Sequence, residues 1–451
     1  MGIVSEPSGI SDVVPGRLDA DTLKANFTDL HPPLSAYEAR VEAERCYFCF
    51  DAPCQNACPT SIDIPLFVRQ ISTGNPLGSA KTILQSNILG GMCARVCPTE
   101  TLCEQACVRE VAEGKPVRIG LLQRHAVDAQ MAVAQPFTRA AASGKQVAIV
   151  GAGPAGLACA HALSLAGHEA TIFEKREKSG GLSEYGIAAY KTTDDFAARE
   201  VAFVLSVGGI KVEHGKALGR DVALTSLRRD YHAVFLAAGL PGTNKLGLPG
   251  ESDLANVVDA VEFIAELRQA EDKSQLPIGR RVLVIGGGMT AIDAAVQSKL
   301  LGAEIVALAY RRGLADMKAS RYERELAQTH GVIIRPWARP LALEGHGGAV
   351  SGVLFEHTRM VDGKLVGLGD AFRIEADVVF TAIGQVGVAD IFGEEAPDLR
   401  DGRIVVDAER RTSLPGVWAG GDAIVGGLDL TVSAVEDGKQ AARSIIAALA
   451  G

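Results

Sequence analysis

One pattern in this sequence, a β-strand followed by a glycine-rich turn and an apolar helix, occurs twice and limits the fold more than any other feature. The first copy reads "KQVAIVGAGPAGLACAHALSLAGHEATIFEKREKSGG" from Lys145, and the second reads "RRVLVIGGGMTAIDAAVQSKLLGAEIVALAYRRG" from Arg280. In each copy a second strand follows the helix, which makes a βαβ unit with parallel strands. The repeat therefore predicts an α/β chain with two Rossmann-like dinucleotide-binding domains.

Each glycine of the first copy has a separate steric role. Gly151 permits the tight turn after the strand, Gly153 lets a pyrophosphate approach the backbone, and Gly156 lets helix and strand pack closely. Glu174 then ends the second strand, where its carboxylate can accept a hydrogen bond from a ribose hydroxyl. A glycine-rich turn with a purely structural role would not predict this acid, so we interpret the first copy as a dinucleotide site.

The second copy has a corresponding turn formed by Gly286, Gly287, Gly288, Thr290 and Ala291. Its second strand ends in Arg311 and Arg312 instead of an acid. Because guanidinium groups pair with a 2′-phosphate that a carboxylate would repel, this ending favours NADPH over NADH, and Lys318 adds a further cation. The alternative is that these are ordinary surface arginines, which are common after strands.

A third segment, "VWAGGDAIVGGLDLTVSAVEDGKQAARSI", resumes the first dinucleotide domain near the C-terminus. Gly421 and Asp422 follow a short apolar strand, and a helix is predicted from about Thr431, whose positive end could face an electron-rich ring. The alternative for Asp422 is a structural cap of the following turn. The sequence thus predicts a first dinucleotide domain at 145–250 and 385–451, interrupted by a second at 251–384.

Eight of the nine cysteines lie between positions 46 and 107, in "RCYFCFDAPCQNACPT" and "GMCARVCPTETLCEQAC". Disulfides do not suit a reducing cytosol, so metal or cluster ligation is the better default. Zinc is the alternative, but its sites usually pair two short Cys-x-x-Cys hooks, whereas these spacings and the two Cys-Pro pairs resemble cluster-binding runs. Counting alone gives two 4Fe-4S clusters with four cysteines each. The ninth, Cys159, is predicted to be a small core residue.

The segment around these cysteines is predicted to be helical. "IDIPLFVRQISTG" and "GSAKTILQSN" repeat apolar residues every three or four positions, and no alternating strand pattern interrupts them. Residues 1 to about 30 are interpreted as an irregular arm, and a linker is expected at roughly 132–145. Residues 1–140 are therefore predicted to form an α-helical iron–sulfur domain with an N-terminal arm.

The charge balance argues against one class of partner. The net charge is −9 and no run of Lys or Arg is present, so a nucleic-acid partner is not expected. The N-terminus lacks the basic and apolar segments of a signal peptide, and no apolar stretch is long enough to span a bilayer. These features predict a cytoplasmic protein without a membrane partner.

Taken together, the motifs resemble a known family. "GAGPAG", "FEK", "GGGMTA" and "GVWAGGDA" are similar to flavoprotein reductases that bind FAD at a first dinucleotide site and NAD(P)H at a second. No cysteine follows Cys159, so the redox-active pair of the disulfide reductases is missing. With the cysteine patches and "GGLSEYGIAAYK" included, the chain from about Arg45 resembles the FAD/iron–sulfur subunit of bacterial dihydropyrimidine dehydrogenases, the N-terminal half of the eukaryotic enzymes and the glutamate synthase small subunit.

The resemblance implies a division of the ligands that counting does not give. It assigns one 4Fe-4S cluster to Cys46, Cys49, Cys54 and Cys107, and the other to Cys58, Cys97, Cys103 and Gln123. Cys93 is then left without an iron. Gln123 and the "DAPC" motif favour the dihydropyrimidine branch, because glutamate synthase relatives place a Glu at this ligand position. Without the resemblance, Gln123 would be interpreted as an exposed helical glutamine.

The resemblance also implies the contacts of both dinucleotides. For FAD they are Gly151, Ala152, Gly153, Pro154, Ala155, Glu174, Lys175, Gly181, Leu182, Lys191, Leu218, Gly421, Asp422 and Thr431. For NAD(P)H they are Gly288, Met289, Thr290, Ala291, Arg311, Arg312, Lys318, Ala382, Ile383 and Gly384. Lys191 is the predicted catalytic residue, since a cation would stabilise negative charge on the reduced flavin. Met289 departs from the polar Asp or Asn often found before this Thr.

The function implied by the resemblance is electron input. Hydride transfer from NADPH or NADH to FAD would be followed by one-electron steps through the two clusters. The chain has no recognisable pyrimidine site or FMN barrel, so reduction of uracil or thymine is expected on an FMN and iron–sulfur partner subunit, in a hetero-oligomer such as a heterotetramer. The rival functions are the glutamate synthase small subunit and, outside enzymes, an electron-carrier or structural module without turnover.

Overall fold

The computed structural model of the chain describes residues 12–387, 389–393 and 395–450. The chain divides into two compact units. The larger unit comprises His31–Glu184, Asp194–Gly242 and the residues from 386 onward, and the smaller unit comprises the residues up to 30, Tyr185–Thr193 and Thr243–Gln385. Among the described residues, no helix is both long and apolar enough to cross a membrane.

The N-terminal part of the larger unit is helical, as predicted. Its α-helices are Ala36–Glu44, Pro53–Asn56, Ile64–Ser72, Pro76–Ser86, Gly90–Val96, Val108–Glu113 and Ile119–Met131, with a 3₁₀ turn at Thr99–Thr101. Side chains satisfy the free N–H groups at several helix starts: the Ser35 hydroxyl accepts from the Glu38 N–H, and Asp63 caps the following long helix. The apolar faces of these helices meet at Phe67 and Leu122, which are fully buried.

The rest of the larger unit is a parallel five-stranded sheet with helices. The strands, in spatial order, are Val417–Ala419, Ala233–Leu236, Gln146–Val150, Glu169–Glu174 and Ile210–His214. The helices are Pro154–Leu165, Leu182–Tyr185, Phe196–Leu205, Leu224–Asp230 and Thr431–Ala450, with 3₁₀ turns at Ala389–Phe392 and Gly421–Ala423 and a small hairpin of Leu399–Arg400 and Arg403–Ile404. The strand order reverses beside Gln146–Val150, and ligands bind at the carboxyl end of such a strand.

The smaller unit contains the second parallel sheet. Its strands, in spatial order, are Ile333–Arg335, Ile305–Ala309, Arg281–Gly286, Val378–Ala382 and Val257–Asp259. Its helices are Ala20–Asn26, Ala260–Gln269, Met289–Leu300 and Arg321–Thr329, with 3₁₀ turns at Lys273–Gln275 and Leu314–Asp316. The strands Ala338–His346, Ala349–Val361 and Lys364–Glu375 form an antiparallel sheet, and the short strands are Val13–Val14, Gly242–Thr243, Ile278–Gly279 and Gln385–Val386. Both glycine-rich turns therefore follow the central strand of a parallel sheet.

The prediction of an irregular N-terminal arm is wrong for part of the described chain. Val13 and Val14 pair with Ile278–Gly279, and Ala20–Asn26 is a helix. The Asp19 carboxylate accepts from the Thr22 N–H at 2.8 Å and so caps the helix. The helix also buries Leu23 in the apolar core of the smaller unit, to which it belongs. Residues 1–11 of the predicted arm lie outside the described residues.

Candidate functional site

The first predicted ligand set is gathered in the larger unit. Cys46, Cys49, Cys54 and Cys107 line one small cavity whose other walls are mainly apolar. Burial, with smaller contributions from the neighbouring Cys46 and Cys107, raises the pKa of the Cys54 thiol to about 12. Burial also raises the pKa of the Cys46 thiol. Such thiols lose their protons only beside a compensating positive charge, which iron supplies, so this donor set suits a cluster.

Two left-handed residues shape the loop that carries these cysteines. Phe48 and Ala52 have φ angles of 52° and 37°, a region that residues other than glycine rarely adopt. Phe48 packs on the core, and the Arg69 guanidinium lies 4.5 Å from the centre of its ring. Strained positions of this kind persist only where the surroundings over-determine the backbone. The packing therefore fixes the conformation of the loop between Cys46 and Cys54.

The second predicted set is more deeply buried. A hydrogen bond with Cys93, followed by burial, raises the pKa of the Cys97 thiol, and burial next to Glu104 raises that of Cys103. The Cys58 thiol contributes to both shifts, and the Cys54 thiol also contributes to that of Cys103, so Cys58, Cys97 and Cys103 are neighbours and the two predicted sets lie close to each other. Cys93, which the resemblance leaves without an iron, lies beside this set through its hydrogen bond with Cys97.

Gln123 is buried, so its interpretation as an exposed helical residue is wrong. It is 7% exposed on the helix Ile119–Met131, and its Nε2 donates to the Gly90 carbonyl at 2.7 Å. This bond assigns the amide orientation and leaves Oε1 as the acceptor atom of the side chain. The start of the same helix is fixed by Glu104, which accepts from the Gly120 N–H at 3.0 Å. A buried amide held in this way fits the role of an oxygen ligand.

Sequence analysis did not identify Glu200, which holds the helix that precedes Cys97. Its carboxylate accepts from the N–H groups of Gly91 at 2.7 Å and Met92 at 3.1 Å. Burial raises its pKa to about 8, although these two N–H groups and the nearby Arg95 lower it, and Asp128 raises it slightly. The only sequence signal was an acid, next to Arg199, within the mainly apolar run "FAAREVAFVL" of the helix Phe196–Leu205.

Glu200→Gln is expected to remove a pH dependence of stability. The pKa of Glu200 is about 8 in the folded chain, whereas the ordinary pKa of a glutamate is 4.5, so the folded state holds one more proton between these values. The unfolding free energy of the wild type should therefore fall by about 1.4 kcal/mol per pH unit from this carboxyl between pH 5 and 8. Denaturant unfolding at pH 5, 6, 7 and 8 measures the slope. The exposed control Glu44→Gln should keep the wild-type slope, and an unchanged slope in Glu200→Gln would contradict the assignment.

The first glycine-rich turn is as tight as the sequence predicts. Gly151 has a φ of 101°, and a Cβ on it would lie 2.4 Å from the Ala237 carbonyl oxygen. A Cβ on Gly156 would lie 2.0 Å from the Gly151 carbonyl oxygen. The buried Glu174 carboxylate accepts from the Ala152 N–H at 2.8 Å, so it braces this turn at the end of its strand. The geometry fits the close approach of a dinucleotide backbone.

A second glycine pair closes on this turn. The Gly180 N–H donates to the Ala152 carbonyl at 2.8 Å, and a Cβ on Gly181 would lie 2.8 Å from the Cα of Gly153. The other predicted flavin contacts nearby occupy several environments. Pro154 and Ala155 begin a helix, burial lowers the pKa of Lys175, Leu182 is exposed, and Leu218 is buried.

The C-terminal segment adds a third wall to this site. Gly421 has a φ of 74°, and its N–H donates to the Asp437 carboxylate at 2.9 Å. Burial raises the pKa of Asp422 to about 7. The helix begins at Thr431, as predicted, and it packs closely on Pro154–Leu165 because a Cβ on Gly438 would lie 2.2 Å from the Ala155 carbonyl oxygen.

The second glycine-rich turn has its own steric pattern within the smaller unit. A Cβ on Gly286 would lie 2.3 Å from the Ala382 carbonyl oxygen, and one on Gly287 would lie 2.5 Å from the Tyr310 ring. In the described part of the chain nothing lies within 4 Å of a Cβ on Gly288, so this glycine lines open space at the start of the helix that carries Met289, Thr290 and Ala291. Gly384 has a φ of 103°, and its carbonyl accepts from the Asn244 N–H at 3.0 Å.

The predicted 2′-phosphate residues lie at the end of the second strand of this unit. Arg311 and Lys318 are exposed, as is Ile383. Arg312 is half-buried, and within the described part of the chain its Nε is buried without a hydrogen-bond partner. An unsatisfied buried guanidinium N–H is costly, so this donor is suited to an anionic ligand.

Lys191 belongs to the smaller unit, where it is buried between two carboxylates. Its Nζ lies 2.7 Å from Asp293 and 2.8 Å from Glu323. Burial lowers the pKa of Lys191, but the two carboxylates outweigh burial and raise it overall. Sequence analysis predicted the lysine but neither of its partners.

These features, two groups of partly or fully buried cysteines with a tight dinucleotide turn in one unit and a second such turn in the other, are those of a flavoprotein reductase with an iron–sulfur domain. Residues 145–438 match the family model of the pyridine nucleotide-disulphide oxidoreductases, and residues 23–135 match the model described as dihydropyrimidine dehydrogenase domain II, 4Fe-4S cluster. The chain belongs to the pyridine nucleotide-disulphide oxidoreductase family, in the group that includes NAD-dependent dihydropyrimidine dehydrogenase subunits.

Relatives cover nearly the whole chain. The NAD-dependent dihydropyrimidine dehydrogenase subunit PreT of Salmonella typhimurium is 35% identical over 93% of this chain and 97% of that protein. The glutamate synthase (NADPH) small chain of Escherichia coli is 34% identical over 94% of each. Among solved structures, Mycobacterium tuberculosis FprA in complex with NADPH has a TM-score of 0.58 and 19% identity, and the match covers 68% of this chain and 85% of that one.

These comparisons confirm the predicted family resemblance and fold class. The chain is an oxidoreductase, and its cofactors are 4Fe-4S clusters in the cysteine domain with FAD and NAD(P)H in the dinucleotide domains. The zinc alternative is thereby set aside. The cysteines that line one cavity and the tight glycine-rich turns are compatible with these groups. The assignment of individual ligands and contacts stays a prediction.

Proposed function

We propose that this chain is the electron-input subunit of a dihydropyrimidine dehydrogenase. It would oxidise NAD(P)H at FAD and pass single electrons through two 4Fe-4S clusters to an FMN-containing partner that reduces uracil and thymine to their 5,6-dihydro forms. One observation supports the proposal most: Cys46, Cys49, Cys54 and Cys107 line one cavity in the same unit as a tight dinucleotide turn. Relatives named as subunits of this enzyme support it over nearly their whole length.

In this proposal each donor set has a distinct composition. The first cluster would be held by Cys46, Cys49, Cys54 and Cys107, and the second by Cys58, Cys97, Cys103 and Gln123. An amide oxygen carries no charge, so a site with three thiolates and one amide has one negative charge fewer than a site with four thiolates. Net charge is one of the factors that set cluster potentials, so the two clusters are expected to differ in potential.

The donor nucleotide is proposed to be held by the second turn and the cations that follow it. The start of the helix Met289–Leu300 presents free N–H groups to the pyrophosphate. The unpaired Nε of Arg312, with Arg311 and Lys318 near it in sequence, favours a 2′-phosphate and therefore NADPH. Because relatives are named as NAD-dependent, the test must compare NADPH with NADH.

The decisive experiment supplies the chain with alternative partners. Purified protein is mixed with an FMN and iron–sulfur dihydropyrimidine-forming subunit, and uracil-dependent oxidation of NADPH and of NADH is followed at several concentrations of each. The matched control replaces that partner with the large subunit of glutamate synthase and supplies glutamine and 2-oxoglutarate. We expect turnover with uracil only. Turnover with the glutamate synthase subunit would instead identify the rival enzyme, and a bound flavin that neither nucleotide reduces would favour a module without turnover.

A further inference from the structure

The segment Tyr185–Thr193 belongs to the smaller unit although the residues on both sides of it belong to the larger one. The chain leaves this segment through Asp194 and Asp195, which have φ angles of 57° and 49°. Two consecutive residues other than glycine in the left-handed region are costly and need support from the surroundings. The chain therefore contains a strained exit that begins three residues after Lys191, and the segment requires an anchor.

Asp293 makes three of the contacts that anchor the segment. Its carboxylate accepts from the Ala188 N–H at 3.3 Å and from the Tyr190 hydroxyl at 3.3 Å, and it pairs with Lys191 Nζ at 2.7 Å. Gln297, one helical turn further on, accepts from the Ala189 N–H at 2.8 Å. Successive groups of the segment are thus held by one face of a single helix.

That helix is the one that begins at the second glycine-rich turn. Asp293 lies four residues after Met289, the first residue of Met289–Leu300, and it is 4% exposed. Glu323, from the helix Arg321–Thr329, contacts Lys191 at 2.8 Å, so the lysine joins two helices of the unit. The three charged groups sum to one negative charge, so Lys191 is a shared counter-ion of two buried carboxylates and not an isolated cation.

We infer that Asp293 is a positioning residue of the nucleotide site, which acts by latching the segment that contains Ala188, Tyr190 and Lys191 onto the helix of the second glycine-rich turn. The latch holds the start of this helix, and with it the N–H groups proposed to bind the pyrophosphate, in one orientation. Glu323 completes the latch by sharing Lys191. The inference rests on the proposed nucleotide site for its kinetic consequence, but the latch itself rests only on the contacts above.

The test compares Asp293→Asn with Glu325→Gln, whose carboxylate lies on Arg321–Thr329 and is exposed. Hydrogen exchange is measured on amides 188–190, and the KM and kcat for NAD(P)H-dependent reduction of ferricyanide are measured per bound flavin. In Asp293→Asn we expect faster exchange at these amides and a KM about tenfold higher, which corresponds to about 1.4 kcal/mol, with kcat changed less than about twofold. Glu325→Gln should match the wild type in all three measurements.

A double-mutant cycle with Lys191→Met distinguishes a latch from two independent effects. If both residues act through one pair, the KM of the double variant should not exceed that of the more affected single variant. Faster exchange without a change in KM would show a local structural role and overturn the inference, as would unchanged exchange. If the wild type does not oxidise NAD(P)H, the proposed function is overturned instead. Hydrogen exchange at amides 188–190 would still decide whether the latch exists.

Discussion

Replacement of Cys54 by serine will remove one 4Fe-4S cluster and leave the other, and replacement of Cys103 by serine will do the reverse. Cys54 lines the cavity shared with Cys46 and Cys107, and in the proposed division Cys103 binds the other cluster with Cys58 and Cys97. Iron content should fall by about half in each variant, because a cluster of four irons needs its full set of ligands. Electron paramagnetic resonance of the reduced proteins should show a different remaining signal in the two cases.

Two further variants test which residue is the fourth ligand of the second 4Fe-4S cluster. Gln123→Ala should alter only the signal that Cys103→Ser removes, since its buried amide is the proposed fourth ligand. Cys93→Ala should keep both clusters, although it removes the hydrogen bond with Cys97 and can shift the potential of the second. If Cys93→Ala removes a cluster and Gln123→Ala leaves both signals unchanged, Cys93 is the ligand and the implied division is wrong.

The glycine-rich turns were predictable from sequence because their requirements are local. Positions 151 and 156 must be glycine because a Cβ there would clash with backbone carbonyl oxygens, those of Ala237 and Gly151 respectively. The strand, turn and helix pattern makes this requirement recognisable in the sequence. The helices of the cysteine domain were likewise predictable, because apolar residues recur there every three or four positions. In contrast, the antiparallel sheet at 338–375 was missed, since register shifts and several glycines interrupt its alternation.

The supporting carboxylates could not be predicted, because their partners are distant in sequence. Glu200 accepts from Gly91, and Asp293 from Ala188, across separations of 109 and 105 residues. A single acid in an apolar helix indicates that something must satisfy it, but it does not indicate what. The burial of Gln123 was available only through the resemblance, since one glutamine in a helix carries no signal of its own.

Two alanine substitutions in the first turn will separate packing from cofactor approach, and both will cost the protein its flavin. A Cβ at position 156 would lie 2.0 Å from the Gly151 carbonyl oxygen, which belongs to the backbone and cannot rotate away. Gly156→Ala must therefore displace the helix Pro154–Leu165 from the sheet, at a cost of about 1–3 kcal/mol or more. Among the residues that the structure describes, a Cβ at position 153 meets only Gly181 Cα, at the ordinary contact distance of 3.8 Å.

Gly153→Ala should thus fold with wild-type stability and still lose FAD, because the added methyl group occupies the approach of the pyrophosphate. Gly156→Ala should lose FAD and also unfold at a lower denaturant concentration. Flavin absorbance per chain measures the first effect, and denaturant unfolding of flavin-free protein measures the second, with flavin-free wild type as the reference. A Gly153→Ala protein that retains stoichiometric flavin would show that the dinucleotide does not pass this glycine, and the turn would then have to be assigned a purely structural role.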